Sequence, residues 1–138
     1  MSRFDVLVIG SGPAGQKAAI AVAKAGRTVA VIEQLREVGG ACVQFGTIPS
    51  KALREKTKLH AQAMKRIDAL GIALPSFTVN VAGLIGEMDS VVKAHEGYMR
   101  EQLERNDVTI IHGRASFVSD TSVNVRYVDG HSETFSAT

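Results

Sequence analysis

From Phe4 to Ile9 the chain runs Phe-Asp-Val-Leu-Val-Ile, a nearly unbroken stretch of strand-forming residues. That composition suits a strand buried on both faces of a parallel sheet. Glycines and Pro13 interrupt it, and the alanine-rich segment Ala14 to Lys24 then reads as a helix closed by Gly26. Thr28 to Ile32 is a second strand that ends at Glu33, so the region 4–33 reads as one right-handed βαβ unit. A helical period begins near Ala41 and lasts to Leu70, with Gly46 and Pro49 distorting its first turns. Residues 71–80, including Pro75, form a connector. Asn80 is placed to cap a second long helix over 81–105, whose apolar positions (Val81, Leu84, Ile85, Met88, Val91, Val92, Tyr98, Met99 and Leu103) follow helical spacing.

Val108 to Ile111 is a third buried strand. Beyond Gly113 the apolar period falls to two, and 116–118, 121–128 and 131–135 read as a small antiparallel meander turning at Asp129-Gly130. Together, 108–136 supply one strand and the meander, and the last strand reads as a sheet edge. The expected fold is α/β and Rossmann-like: a parallel sheet, two long helices and a small antiparallel meander.

Composition alters this picture little. The apolar fraction of 45% can fill a core, and a net charge of +2 demands no polyanionic partner. The single cysteine, Cys42, excludes an internal disulfide framework and fits a reducing compartment. The opening Met1-Ser2-Arg3 enters a strand at once, and no apolar run is long enough to cross a bilayer. These features lead to an expectation of a cytoplasmic protein without a membrane partner. The basic run from Lys51 to Lys58 lacks interleaved aromatic residues and reads as a solvated helix face, not a nucleic-acid surface. His60, His95, His112 and His131 are scattered without metal-ligand spacing, and no metal site is expected.

The sharpest chemical signal is Gly10-Ser11-Gly12-Pro13-Ala14-Gly15, a G-x-G-x-x-G between strand and helix. Gly10 permits the tight turn, Gly12 lets a pyrophosphate approach the backbone, and Gly15 allows close helix packing. Phosphates would lie at the helix N-terminus, where free N–H groups favour anions. Glu33, at the end of the second strand, is suited to accept hydrogen bonds from a ribose, with Gln34 beside it. A carboxylate there disfavours a 2′-phosphate, although Arg36 is near. Both NAD and FAD present an adenosine ribose and a pyrophosphate, so the motif alone leaves the choice open.

The stretch Gly39-Gly40-Ala41-Cys42-Val43-Gln44-Phe45-Gly46-Thr47-Ile48-Pro49-Ser50-Lys51 resembles the FAD-binding segment of the pyridine nucleotide-disulfide oxidoreductases. Those enzymes carry Gly-Gly, two cysteines separated by four residues, and then Ile-Pro-Ser-Lys. Cys42 matches the first cysteine, and Thr47 stands where the second would be. Within that superfamily the pattern, continued by Ala52-Leu53-Arg54, is most similar to the soluble pyridine nucleotide transhydrogenases. These move hydride between NADPH and NAD⁺ through the flavin alone. The likeness is specific over residues 4–54 and looser from there to the end, including Ile111-His112-Gly113-Arg114-Ala115.

The resemblance implies FAD as cofactor. It implies contacts from Gly10, Gly12, Pro13, Ala14, Gly15, Glu33, Gln34, Gly39, Gly40, Ala41, Cys42, Gly46, Thr47 and Lys51, with Gly113, Arg114 and Ala115 meeting the adenine. Lys51 would stand by the flavin, one turn from Thr47. Cys42 reads either as a reactive thiol near a helix start or as a small residue beside the flavin, and it is the sole candidate for a catalytic side chain. Family members are much longer, with a separate NAD(P)-binding domain and a C-terminal domain through which they form homo-oligomers. The region 1–138 is therefore expected to be a partial FAD-binding domain, an N-terminal fragment inactive alone. NAD(H) and NADP(H) would be partners of the parent enzyme. A dihydrolipoamide dehydrogenase-like disulfide oxidoreductase is the alternative parent, and a non-catalytic nucleotide-binding module is an alternative of another class.

Overall fold

The computed structural model describes residues 2–73 and 80–138, so most of the connector expected over 71–80, including Pro75, lies outside the described residues. Three parallel strands form one sheet in the order β2 (Val6–Ile9), β3 (Val29–Glu33) and β4 (Thr109–His112). All five residues of the central strand β3 are buried, which is why its sequence shows no polar alternation.

One face of this sheet is covered by helix α1 (Pro13–Lys24) and a long helix described below. Ala19 packs there with Val29 and Val31, joined by Met99 and Leu103. The opposite face turns Ala30, Ile32 and Ile111 toward a second sheet, which contributes Val123, Val125 and Phe135. That sheet is four-stranded, in the order β1 (Ser2–Phe4), β7 (Ser132–Ala137), β6 (Ser122–Arg126) and β5 (Arg114–Ser119). The α/β class, the parallel sheet and the antiparallel strands are as expected. Among the described residues no helix is long and apolar enough to cross a membrane.

Four details depart from expectation. The run from Phe4 to Ile9 is two strands, because Asp5 carries the chain from one sheet into the other. The Asp5 carboxylate accepts both the Thr28 N–H and the Thr28 hydroxyl at 2.7 Å, and the Asp5 N–H donates back to Thr28 Oγ1 at 2.9 Å. The two bonds that the carboxylate accepts, led by the one from the Thr28 hydroxyl, hold the Asp5 carboxyl below its ordinary pKa.

The last strand, β7, is interior to its sheet. It pairs antiparallel with β6 and parallel with β1, through Ser2↔Phe135 and Phe4↔Ala137. The aromatic rings of Phe4 and Phe135 lie 6.4 Å apart and anchor that pairing.

The helix expected over 41–70 is broken into α2 (Gly40–Gln44) and α3 (Thr47–Ala69). Gly46 makes the break with φ −122° and ψ −107°, far from helical values. Pro49 distorts nothing, since it falls in the first turn of α3, where the N–H it lacks would have no partner in the helix.

Helix α4 (Val81–Glu104) begins where Asn80 accepts the Gly83 N–H at 3.0 Å. Its apolar stripe is only partly used: Leu84, Met99 and Leu103 are buried, whereas Val81, Ile85, Val91 and Tyr98 stay exposed. Lys56 and Glu87, 2.9 Å apart, link α3 to α4.

Candidate dinucleotide site

Strand β2 ends at Ile9, and the chain turns into α1 at Gly10, whose φ of 95° favours glycine. A Cβ on Gly15 would strike the Gly10 carbonyl, so the helix closes on the turn only because that position has no side chain. The N-terminus of α1 has no side-chain cap and no acidic residue in its first turn. A Cβ at Gly10 or Gly12 would meet nothing within 4 Å, so both glycines border open space just before the helix.

Glu33 lies at the carboxyl end of β3 and is only 4% exposed. Its Oε2 accepts the Ser11 hydroxyl at 2.6 Å and the Ser11 N–H at 2.9 Å, and its Oε1 accepts the Leu35 N–H at 3.0 Å. Burial opposes the charge most strongly. The bonds from the Leu35 N–H, the Ser11 hydroxyl and the N–H groups of Ser11 and Gln34 outweigh it together, and the carboxyl sits below its ordinary pKa.

The same Ser11 oxygen accepts the Gly39 N–H at 3.0 Å. Gly39 and Gly40 both have positive φ, and a Cβ on Gly40 would lie 2.9 Å from Gly12 Cα. The Gly-Gly pair therefore abuts the glycine turn directly.

The loop between β3 and α2 is also held from outside. His112 Nδ1–H donates to the Leu35 carbonyl at 2.9 Å, and Arg100 donates to the Arg36 carbonyl at 3.2 Å. The Glu96 carboxylate, paired with Arg100 at 2.9 Å, accepts the Val38 N–H at 3.4 Å.

A cleft of ≈210 Å³ opens at the carboxyl ends of the parallel strands, lined by Gly10, Glu33, Gln34, Gly113, Arg114 and Ala115 among others. Gly113 donates its N–H to the Glu33 carbonyl at 2.8 Å and packs without a side chain against Val125 and the Arg126 carbonyl. One group of expected site residues is thus assembled around a single cavity. The other expected residues do not line this cleft: Gly12, Pro13, Ala14 and Gly15 lie at the start of α1, and a second group, Gly39, Gly40, Ala41, Cys42, Gly46, Thr47 and Lys51, lies along the Gly-Gly loop, α2 and the start of α3. This second group meets the start of α1 where Gly40 touches Gly12. Cys42 is a partly exposed free thiol, and Thr47 and Lys51 are exposed.

Ser11 went unrecognised in the sequence because it occupies a variable position of the motif. A hydroxyl facing an acid at the next strand end is the only local signal it offered. The clamping pair Glu96 and Arg100 left no signal, since they act on a loop far away in the chain.

These groups fit a dinucleotide. The start of α1 has no side-chain cap, the glycines before it border open space, a buried acceptor lines the adjoining cleft, and the cleft sits at the carboxyl ends of parallel strands. Fold and site together define an α/β domain whose candidate site suits a dinucleotide.

The chain belongs to the pyridine nucleotide-disulphide oxidoreductase family, which it matches over residues 4–137. It is 40% identical over 126 residues to a soluble pyridine nucleotide transhydrogenase of Mycobacterium tuberculosis (strain ATCC 25177 / H37Ra), covering 91% of this chain and 27% of that protein. It is 39% identical over 142 residues to a soluble pyridine nucleotide transhydrogenase of Yersinia pestis (strain Pestoides F), covering 98% of this chain and 29% of the relative. Among solved structures it is similar to the Cu(II) complex of the HOCl-induced flavoprotein disulfide reductase RclA from Escherichia coli. That likeness has a TM-score of 0.80 at 25% identity and covers 99% of this chain and 27% of the other. The chain therefore spans less than a third of the length of these relatives.

Proposed function

We propose that this chain is the FAD-binding part of a flavin-dependent oxidoreductase that moves hydride between NADPH and NAD⁺. The observation that carries the reading is the single cleft joining Gly10, Glu33, Gln34 and Gly113 to Ala115, beside the uncapped start of α1. When bound, FAD supplies the two-electron carrier between the nicotinamides.

The N–H groups at the start of α1 would hold the pyrophosphate, and Glu33 would accept from the adenosine ribose. The backbone from Gly113 to Ala115 would meet the adenine. Gly39, Gly40, Ala41, Cys42 and Gly46 would border the flavin half, with Thr47 and Lys51 facing the ring. A lysine there favours negative charge developing on its partner.

Thr47 favours transhydrogenation over disulfide reduction. A dithiol relay needs two sulfurs, and Cys42 is the only cysteine in this sequence. The relatives at 39–40% identity, named as transhydrogenases, support the same choice. No second G-x-G-x-x-G follows Gly15, so both nicotinamide nucleotides would bind outside this chain, and the chain by itself would be inactive.

Two measurements test the proposal. The purified chain should bind FAD stoichiometrically, seen as a yellow complex in a flavin titration. The longest reading frame containing this segment should reduce an NAD⁺ analogue with NADPH. A protein that instead reduces a dithiol substrate and shows no transfer between nicotinamides would overturn the transhydrogenase reading.

A further inference from the structure

The outward register positions of the four-stranded sheet carry cations and no carboxylate. Antiparallel pairing sets Arg114 directly opposite Arg126, and both are exposed. Like charges at facing positions destabilise a sheet, and a local rule broken without compensation marks a functional site. Around the pair the register brings Ser116, Asn124 and Ser132 onto the same face. Among the described residues neither arginine has an ion-pair partner.

The nearby acids are engaged elsewhere. Asp129 accepts the His131 N–H at 3.0 Å, and Glu133, on the opposite face of β7, accepts the hydroxyls of Tyr127 and Ser2 at 3.2 Å. Both arginines line a cleft of ≈290 Å³ shared with Ser116, Asn124 and Ser132, and a second of ≈430 Å³ that reaches Gln34 and Tyr127.

We propose that Arg114 and Arg126 form a phosphate-binding subsite on the outer face of this sheet, separate from the pyrophosphate position at α1. Two facing guanidiniums call for two negative charges. A phosphate or phosphate monoester carries nearly that at neutral pH, whereas a carboxylate carries one. Each guanidinium presents a planar fork that matches phosphate oxygens in pairs, and the hydroxyls of Ser116 and Ser132 and the amide of Asn124 supply further donors. The absence of any carboxylate excludes a cation.

The phosphate group could be free or carried on a nucleotide, because Arg114 also lines the cleft with Glu33 and Gln34. The subsite does not depend on the flavin reading.

Calorimetric titration of the protein with inorganic phosphate, at ionic strength held constant with chloride, tests it. One saturable site is expected, with Kd rising at least tenfold in Arg126→Gln and in Arg114→Gln. Arg126 is the cleaner variant, since it does not line the adenosine cleft.

Thermal melts give an independent readout. Without phosphate, Arg126→Gln should melt higher than wild type because repulsion is relieved, and it should lose the gain that phosphate gives wild type. A merely structural arginine would give a lower melting point. Repeating the titration with saturating ADP separates the sources: competition indicates a nucleotide phosphate, and simultaneous binding indicates free phosphate. No saturable binding up to about 10 mM phosphate, well above the 1 mM mark of weak affinity, or unchanged affinity in Arg126→Gln, overturns the proposal.

Discussion

Ser11 and Glu33 hold each other through two hydrogen bonds, hydroxyl to Oε2 at 2.6 Å and N–H to the same oxygen at 2.9 Å, with both side chains buried. Through Gly39, which donates to the Ser11 oxygen, this pair unites the glycine turn, the end of β3 and the Gly-Gly loop. Replacing Ser11→Ala leaves a buried N–H at Gly39 without its acceptor. The expected loss is about 1–3 kcal/mol of stability, read from the urea midpoint. An unchanged midpoint would show that the loops are held by other means.

The pH dependence follows from the same carboxylate. Its pKa in the folded state is depressed below the ordinary 4.5, so its contribution is complete above 4.5 and is lost as pH falls through the lower folded value. Asp5 behaves likewise from its ordinary 3.8, held down first by the Thr28 hydroxyl, and Glu87 from 4.5, held down first by the Lys56 hydrogen bond. Glu33→Gln cannot titrate and should flatten the upper part of the acid limb in urea melts taken across this range. Asp5→Asn should flatten only the lower part. Identical acid limbs in wild type and Glu33→Gln would contradict the assignment.

Gly40 and Gly26 offer a matched comparison, because both have positive φ. A Cβ on Gly26 meets nothing within 4 Å, whereas one on Gly40 presses on Gly12 Cα. Gly26→Ala should therefore cost only backbone strain, about 1–2 kcal/mol. Gly40→Ala should in addition displace the glycine turn and reduce dinucleotide affinity by about tenfold or more, near 1.4 kcal/mol. Flavin titrations of the two variants provide the check, and equal affinities would separate the Gly-Gly pair from the binding turn.

In the longest reading frame carrying this segment, Cys42→Ser should leave transfer between nicotinamides within about tenfold, or roughly 1.4 kcal/mol of barrier. Lys51→Ala should cost more, since it removes a charge from the proposed ring side. If Cys42→Ser abolishes transfer while FAD stays bound, the lone thiol is catalytic.

The elements most legible in the sequence are those whose determinants are local. Strand β3 is buried on both faces and so reads as continuous apolar residues, and Asn80 caps α4 through a bond to a residue within one turn. The cleft was legible because glycines at a strand-helix turn and an acid at a strand end have few other uses. What escaped were determinants contributed by distant residues. Asp5 splits the first strand only because Thr28 stands beside it, and β7 becomes interior only because Ser2 to Phe4 return to pair with it. Exposed apolar residues such as Leu59 and Ile85 fit a helical period without being buried among the described residues. Periodicity reports which face could pack, not what packs on it.

The pairing of β1 with β7 sets an order of events during synthesis. Ser2 meets Glu133 across 131 positions, through a three-residue strand, so that ladder can close only after nearly the whole segment has left the ribosome. The βαβ unit needs no such wait, because β2 and β3 are joined through α1 alone. Closing the longer loop is entropically unfavourable and gains few bonds in return. Ser2 to Phe4 are therefore among the last residues of this segment to find their place, and the antiparallel sheet is sealed by a strand from far away in the chain.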